Sequence, residues 1–133
     1  MFCDIYSSLG GSESLGWTCE SPPSCSEPPS SVTCDGDGNV IKLDLYNVGL
    51  PGTIPSSIGF LGNLMSLILS HNSLTGSIPS SIGFLTALTQ LYVNNNGLTK
   101  TMPSSIGSLR SLDLLFVSYN QLTGEWSLTT CPD

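Results

Sequence analysis

The stretch Leu67-Ile68-Leu69-Ser70-His71-Asn72-Ser73-Leu74-Thr75-Gly76-Ser77-Ile78-Pro79-Ser80-Ser81-Ile82-Gly83-Phe84-Leu85-Thr86-Ala87-Leu88-Thr89-Gln90 decides the fold, because it is one period of a repeat. Its opening triplet recurs every 24 residues, as Leu43-Asp44-Leu45, Leu91-Tyr92-Val93 and Leu115-Phe116-Val117. Leu50, Leu74, Leu98 and Leu122 keep the same interval, as do Ile54-Pro55, Ile78-Pro79 and Met102-Pro103. Pro-Ser-Ser-Ile-Gly stands unchanged at 55–59, 79–83 and 103–107.

Each part of the period has a physical reading. Leu-x-Leu alternates, so it predicts a short strand with one apolar and one wet face. Asn72, Asn96 and Asn120 hold one position within an apolar set. A buried amide must be satisfied, and backbone groups of adjacent coils are the natural partners, so these three predict a hydrogen-bonded ladder. Ile-Pro forces an extended return, since proline restricts the residue before it. Ser-Ser-Ile-Gly-x-Leu-x-x-Leu then spaces apolar residues for one or two turns of α- or 3-10 helix. One coil buries Leu67, Leu69, Leu74, Ile78, Ile82, Leu85 and Leu88, too little to order 24 residues by itself. Only stacked coils are stable.

This unit resembles the plant-type leucine-rich repeat over Val40 to Trp126. The resemblance implies an α/β solenoid: a right-handed coil with a parallel concave β-sheet of about four strands and short helical or 3-10 convex segments. A second short strand around Leu-x-Gly-x-Ile-Pro is also implied. Residues 1–40 read as a disulfide-stapled N-terminal cap and 41–126 as the repeats, at 43–66, 67–90, 91–114 and a partial 115–126. Residues 127–133 read as a short tail or minimal C-terminal cap. Asp4 to Gly11, Trp17, and Cys25 to Val40 are similar to the family's cap helix, tryptophan, disulfide loop and hairpin. The chain departs from the pattern in three places. Pro22-Pro23 and Pro28-Pro29 lengthen the cap, Val48 replaces the first ladder Asn, and Lys100 stands where Gly52, Gly76 and Gly124 are glycine.

Cysteine usage sets the compartment. Cys3, Cys19, Cys25 and Cys34 crowd into a Ser/Pro-rich segment, which predicts disulfides and hence a secreted, extracellular protein. Zinc would need C-x2-C pairs that these gaps do not supply. Three pairings are open, and Cys25–Cys34 with Cys3–Cys19 is preferred because neighbours close short loops. Cys131 is left over, as a cap cysteine, a free thiol or an interchain bond. Met1-Phe2-Cys3-Asp4 has neither the basic nor the apolar part of a secretory leader, so the reading expects one already removed or an artificial initiating Met.

Charge narrows the partners. The 133 residues carry 3 Lys plus Arg against 10 Asp plus Glu, a net charge of -7. Nucleic-acid backbones and anionic lipid both need clustered cations, so neither is expected as a partner. No apolar run approaches the ~18 residues of a membrane span. No cofactor or metal is expected. Asp35-Gly36-Asp37-Gly38-Asn39 lacks the Gly and Glu that a calcium loop needs at its sixth and twelfth positions, and reads as a hairpin turn. His71, the only histidine, has no carboxylate in register, so no catalytic triad assembles and the chain reads as a non-enzyme.

The candidate site is the wet face of the main sheet, where stacked strands line up residues about 4.8 Å apart. One row reads Asp44, Ile68, Tyr92, Phe116; the next Tyr46, Ser70, Asn94, Ser118; the third Asn47, His71, Asn95, Tyr119. An apolar stripe with a polar margin is the composition of a contact surface. Asp44, Tyr46, Ile68, His71, Tyr92, Asn94, Phe116 and Tyr119 are therefore the expected contacts for a protein or cell-surface ligand, the function that the resemblance also implies. The rival is a structural protein, a homo-oligomer or filament stacked through an open C-terminal coil. A minor alternative is ice binding, through a row of Thr75, Thr99 and Thr123 beside a row of Thr53, Ser77 and Thr101, with Lys100 intruding.

Overall fold

The computed structural model describes residues 2–10, 25–26 and 30–124. A short helix α1 (Phe2–Ser8) opens the chain, followed by the strands β1 (Val32–Cys34) and β2 (Val40–Asp44). Strands β3 (Ser66–Ile68), β4 (Gln90–Tyr92), β5 (Thr99–Thr101), β6 (Leu114–Phe116) and β7 (Gln121–Thr123) complete the set. Between them lie three 3-10 turns, Ser56–Phe60, Ser80–Phe84 and Ser104–Ser108.

The main sheet has the order β1-β2-β3-β4-β6. Four of its strands are parallel, and each pairs with the next at an offset of one full repeat: Leu43 with Leu67, Leu67 with Leu91, Leu91 with Leu115. The fifth, β1, is antiparallel to β2 and belongs to the cap hairpin. Its turn closes on Asp35, whose Oδ1 accepts the N–H groups of Asp37 and Asn39, both at 2.9 Å. Hydrogen bonds from the Asn39 side chain, and then from backbone N–H groups, hold the Asp35 carboxyl below the usual carboxylate value.

Leu67, Leu69, Leu74, Ile78, Ile82, Leu85 and Leu88 all lie in one continuous core with their equivalents from the other coils. Leu69 and Val93 point inward and are buried, and Val117 packs against the same core. Pro55, Pro79 and Pro103 are extended, and each carbonyl accepts the N–H of the Ile three residues on, which starts the 3-10 turn. The cap seals the first coil: Ile5 and Leu9 of the α1 segment enter the core, and the Gly52 N–H donates to the Leu9 carbonyl at 3.1 Å.

Cys25 and Cys34 form a disulfide that fastens the cap loop to β1. Cys3 is also disulfide-bonded. Cys19, its expected partner, lies outside the described residues, as do Trp17, Trp126, Cys131 and the 127–133 tail.

The second sheet corrects one expectation. Its strands pair at an offset of 22 rather than 24, so Thr53 faces Thr75 and Thr101 faces Thr123. The two expected rows therefore interleave. Residues at equivalent repeat positions are staggered by two along this sheet, because the chain gains two residues of offset in passing from the second sheet to the first.

Candidate functional site

The asparagine positions lock the coils behind the main sheet. Asn72 Nδ2 donates to the carbonyls of Leu45 (2.8 Å) and Leu69 (2.9 Å), while its Oδ1 accepts the N–H groups of Val48 (3.1 Å) and Leu50 (3.0 Å). Asn96 donates to Leu69 and Val93 and accepts from Leu74. Asn120 donates to Val93 and Val117 and accepts from Leu98. Each amide thus bridges its own coil and the one before it, which fixes the spacing of the strands in front.

On the wet face, Asp44, Ile68, Tyr92 and Phe116 are successive cross-strand partners. The Tyr92 and Phe116 rings stack nearly parallel, with centroids 4.9 Å apart and planes 8° apart. Such a pair contributes about 0.5–1.5 kcal/mol beyond its area. Phe116, Tyr46 and Tyr119 are exposed, whereas Ile68 and Tyr92 are half-buried. Asn94 lies one row over, and its carbonyl accepts the His71 N–H at 3.1 Å.

The strands end on a repeated backbone device. Asn47, His71, Asn95 and Tyr119 occupy one repeat position and all have positive φ, between 50° and 59°. Asn tolerates the left-handed region, but for the bulkier side chains it is uncommon. The kink throws these side chains outward beside the sheet. There the His71 ring meets the Tyr46 ring at 5.1 Å, and Asn95 Nδ2 lies 3.2 Å from His71 Nε2.

The structure also adds a row that the sequence reading missed: Lys42, Ser66, Gln90 and Leu114 run parallel to the aromatic stripe. Lys42 Nζ pairs with Asp44 Oδ2 at 3.0 Å, and Ser66 Oγ donates to Gln90 Oε1 at 3.1 Å. Alternation carried two residues upstream of Asp44 would have found this row. Phe60 and Phe84 are exposed as well, on the 3-10 side. Their signal was the repeated Gly-Phe-Leu after Ser-Ser-Ile.

Comparison with known proteins agrees with this geometry. The family model described as Leucine Rich Repeat matches residues 63–85 and 87–109. A BIR3–SERK2 complex from Arabidopsis thaliana holds a similar chain, 36% identical with a TM-score of 0.66, over 71% of this chain and 52% of that one. The ectodomain of the Arabidopsis thaliana receptor kinase GASSHO1/SCHENGEN3, in complex with CASPARIAN STRIP INTEGRITY FACTOR 2, is 40% identical with a TM-score of 0.69, over 71% of this chain and 12% of that one. A plant ice-binding protein is 25% identical with a TM-score of 0.59, over 89% of this chain and 46% of that one. The chain thus spans about half or less of the length of these three. No curated protein matches the chain. With parallel 24-residue coils, 3-10 turns on the return side and a Cys25–Cys34 cap, the chain is a leucine-rich-repeat solenoid protein of the plant type.

Proposed function

We propose that the chain is a non-catalytic, extracellular binding module that takes a protein or cell-surface ligand on the wet face of its main sheet. Asp44, Tyr46, Ile68, His71, Tyr92, Asn94, Phe116 and Tyr119 form the contact set. The observation that carries the reading is the Tyr92–Phe116 stack, two rings fixed against each other on a face that the core does not use. Pre-ordered aromatic surface loses little side-chain freedom on binding, which is why such groups dominate contact energetics. The similar solenoids in complexes support the same reading. The non-catalytic part is supported by His71, whose side chain meets Tyr46 and Asn95 among the described residues, neither of them a carboxylate that would orient a base. Disulfides support an oxidising, extracellular setting.

The test is retention of an extracellular or cell-surface fraction on the immobilised chain. Wild type retains a component, and the Tyr92→Ala/Phe116→Ala double variant loses it while melting within a few degrees of wild type. Equal retention by the two ends the reading.

Ice binding is favoured by the facing Thr53–Thr75 and Thr101–Thr123 pairs and the likeness to a plant ice-binding protein. It is opposed by Thr75 and Thr99, whose hydroxyls donate to the carbonyls of Gly52 and Gly76. Absence of thermal hysteresis removes it.

A further inference from the structure

Asn96 is followed by Gly97, the only Asn-Gly step in the chain. The same ladder position is followed by Ser73 in the second repeat and by Gln121 in the fourth. The backbone does not call for glycine here, since Gly97 lies outside the left-handed region that Gly76 and Gly124 occupy. A Cβ on Gly97 would stand 3.3 Å from the Leu74 carbonyl oxygen and 3.6 Å from Thr75 Cγ2, close but not prohibitive. Asparagine is among the thermolabile residues. Its weak point is the side-chain Cγ, which the next backbone nitrogen attacks to close a five-membered ring. A following side chain hinders that attack, and glycine removes the hindrance.

The fold opposes the attack at both ends. The Gly97 N–H donates to the Leu74 carbonyl at 2.7 Å, so the attacking nitrogen is tied to the preceding coil. Asn96 Nδ2 donates to the carbonyls of Leu69, Val93 and Asn94 at 3.0, 3.1 and 3.3 Å. Asn96 Oδ1 accepts the Leu74 N–H at 3.0 Å, which completes the tether on Cγ. Leu74 thus holds both reacting groups, one through its carbonyl and the other through its N–H.

We infer that Asn96-Gly97 is a self-modification site, silent in the stacked solenoid and reactive when the second and third coils separate. On separation the Gly97 nitrogen gives its proton to hydroxide, attacks Asn96 Cγ and displaces the side-chain nitrogen as ammonia. Water then opens the succinimide at either carbonyl, leaving an aspartyl or isoaspartyl residue at position 96, with no electrons exchanged. Neither product rebuilds the ladder. A carboxylate has no N–H for the carbonyls of Leu69, Val93 and Asn94, and sets a negative charge against their oxygens. The isoaspartyl form also lengthens the backbone by one carbon between β4 and β5, where the coils depend on register. A reversible opening of the coils thereby becomes a permanent mark.

The test uses the full chain with its disulfides intact, incubated in mildly alkaline buffer, native or in urea above its unfolding midpoint. Peptide mass mapping follows the segment that holds Asn96. In urea this peptide is expected to gain one mass unit at least about ten times faster than in the native chain, because opening limits the native rate. Asp35-Gly36 and Asp37-Gly38 can isomerise too, but without a change of mass and in another part of the chain. Gly97→Gln, which copies the fourth repeat, is expected to keep the native circular dichroism and to slow the gain in urea at least about ten-fold. Wild type diluted from urea is expected to lose refolded fraction in step with its modification, while Gly97→Gln keeps it. Equal rates in native buffer and urea overturn the protection by the fold. A gain in urea no faster than that of Gly97→Gln overturns the site. Modified chains that refold and melt like unmodified ones overturn the consequence for the ladder.

Discussion

Gly83 lies so close to Ser105 of the next coil that a Cβ on Gly83 would stand 2.7 Å from both the Ser105 Cβ and its carbonyl oxygen. Gly59 meets Ser81 in the same way, whereas a Cβ at Gly107 would meet nothing within 4 Å. The three glycines sit in identical Pro-Ser-Ser-Ile-Gly segments, yet only two of them are pressed against a following coil. Gly83→Ala is expected to destabilise the chain by about 1–3 kcal/mol through forced separation of the 3-10 turns. Gly107→Ala is expected to be neutral or to stabilise by up to about 1 kcal/mol. Urea midpoints measured side by side check this; equal effects would mean that the stacking distance is wrong.

The ladder gives a similar contrast between neighbours. Asn96→Ala leaves the Leu74 N–H without its acceptor and takes one of two amide donors from the carbonyls of Leu69 and Val93, which keep Asn72 and Asn120, so a loss of about 1–3 kcal/mol is expected. Asn95→Ala removes an exposed contact with His71 and places alanine at φ 55°, so its cost is expected to stay within about 1 kcal/mol. Thermal melts of the two variants decide the matter.

Lys100 occupies the left-handed region at φ 65°, in the repeat position where Gly76 has φ 74° and Gly124 has φ 87°. For a residue with a Cβ that conformation costs about 1–2 kcal/mol. Lys100→Gly is expected to raise stability by up to about 1 kcal/mol, since the added freedom of glycine in the unfolded chain offsets part of the relief. The reverse change, Gly76→Lys, is expected to destabilise, because its Cβ also meets Thr53 Cγ2 at 3.3 Å. A matched pair of denaturation curves tests both signs.

The cap hairpin carries an acid-sensitive latch. Hydrogen bonds from Asn39 lower the Asp35 pKa from its ordinary 3.8, so the folded state binds the proton less readily than the unfolded chain. The contribution of Asp35 is therefore fully present above pH 3.8 and is lost as pH falls through the lower, folded value. A difference in melting temperature between wild type and Asp35→Ala is expected at pH 6 and is expected to shrink steadily below pH 3.8. A gap that persists unchanged at the lowest pH would disprove the latch.

The repeat by itself determined which residues enter the core, where the strands and 3-10 turns fall, and which residues share the wet face. The reason is that no 24-residue coil can bury its apolar side chains alone, so one register of stacking satisfies Leu67, Leu69, Leu74 and Ile78 in every copy. The preferred Cys25–Cys34 bridge was also legible, because the two thiols close a short loop. The tertiary structure decided what periodicity averages away. The second sheet pairs at 22 rather than 24, so Thr53 faces Thr75, because the offset between neighbouring coils varies around each turn. It decided that Gly59 and Gly83 are pressed on while Gly107 is not, a matter of having a neighbour rather than of local sequence. It also set the left-handed backbone at His71 and Tyr119 and the stacking of Tyr92 on Phe116. Each of these depends on distances between coils, and those distances follow from packing rather than from the spacing of residues along the chain.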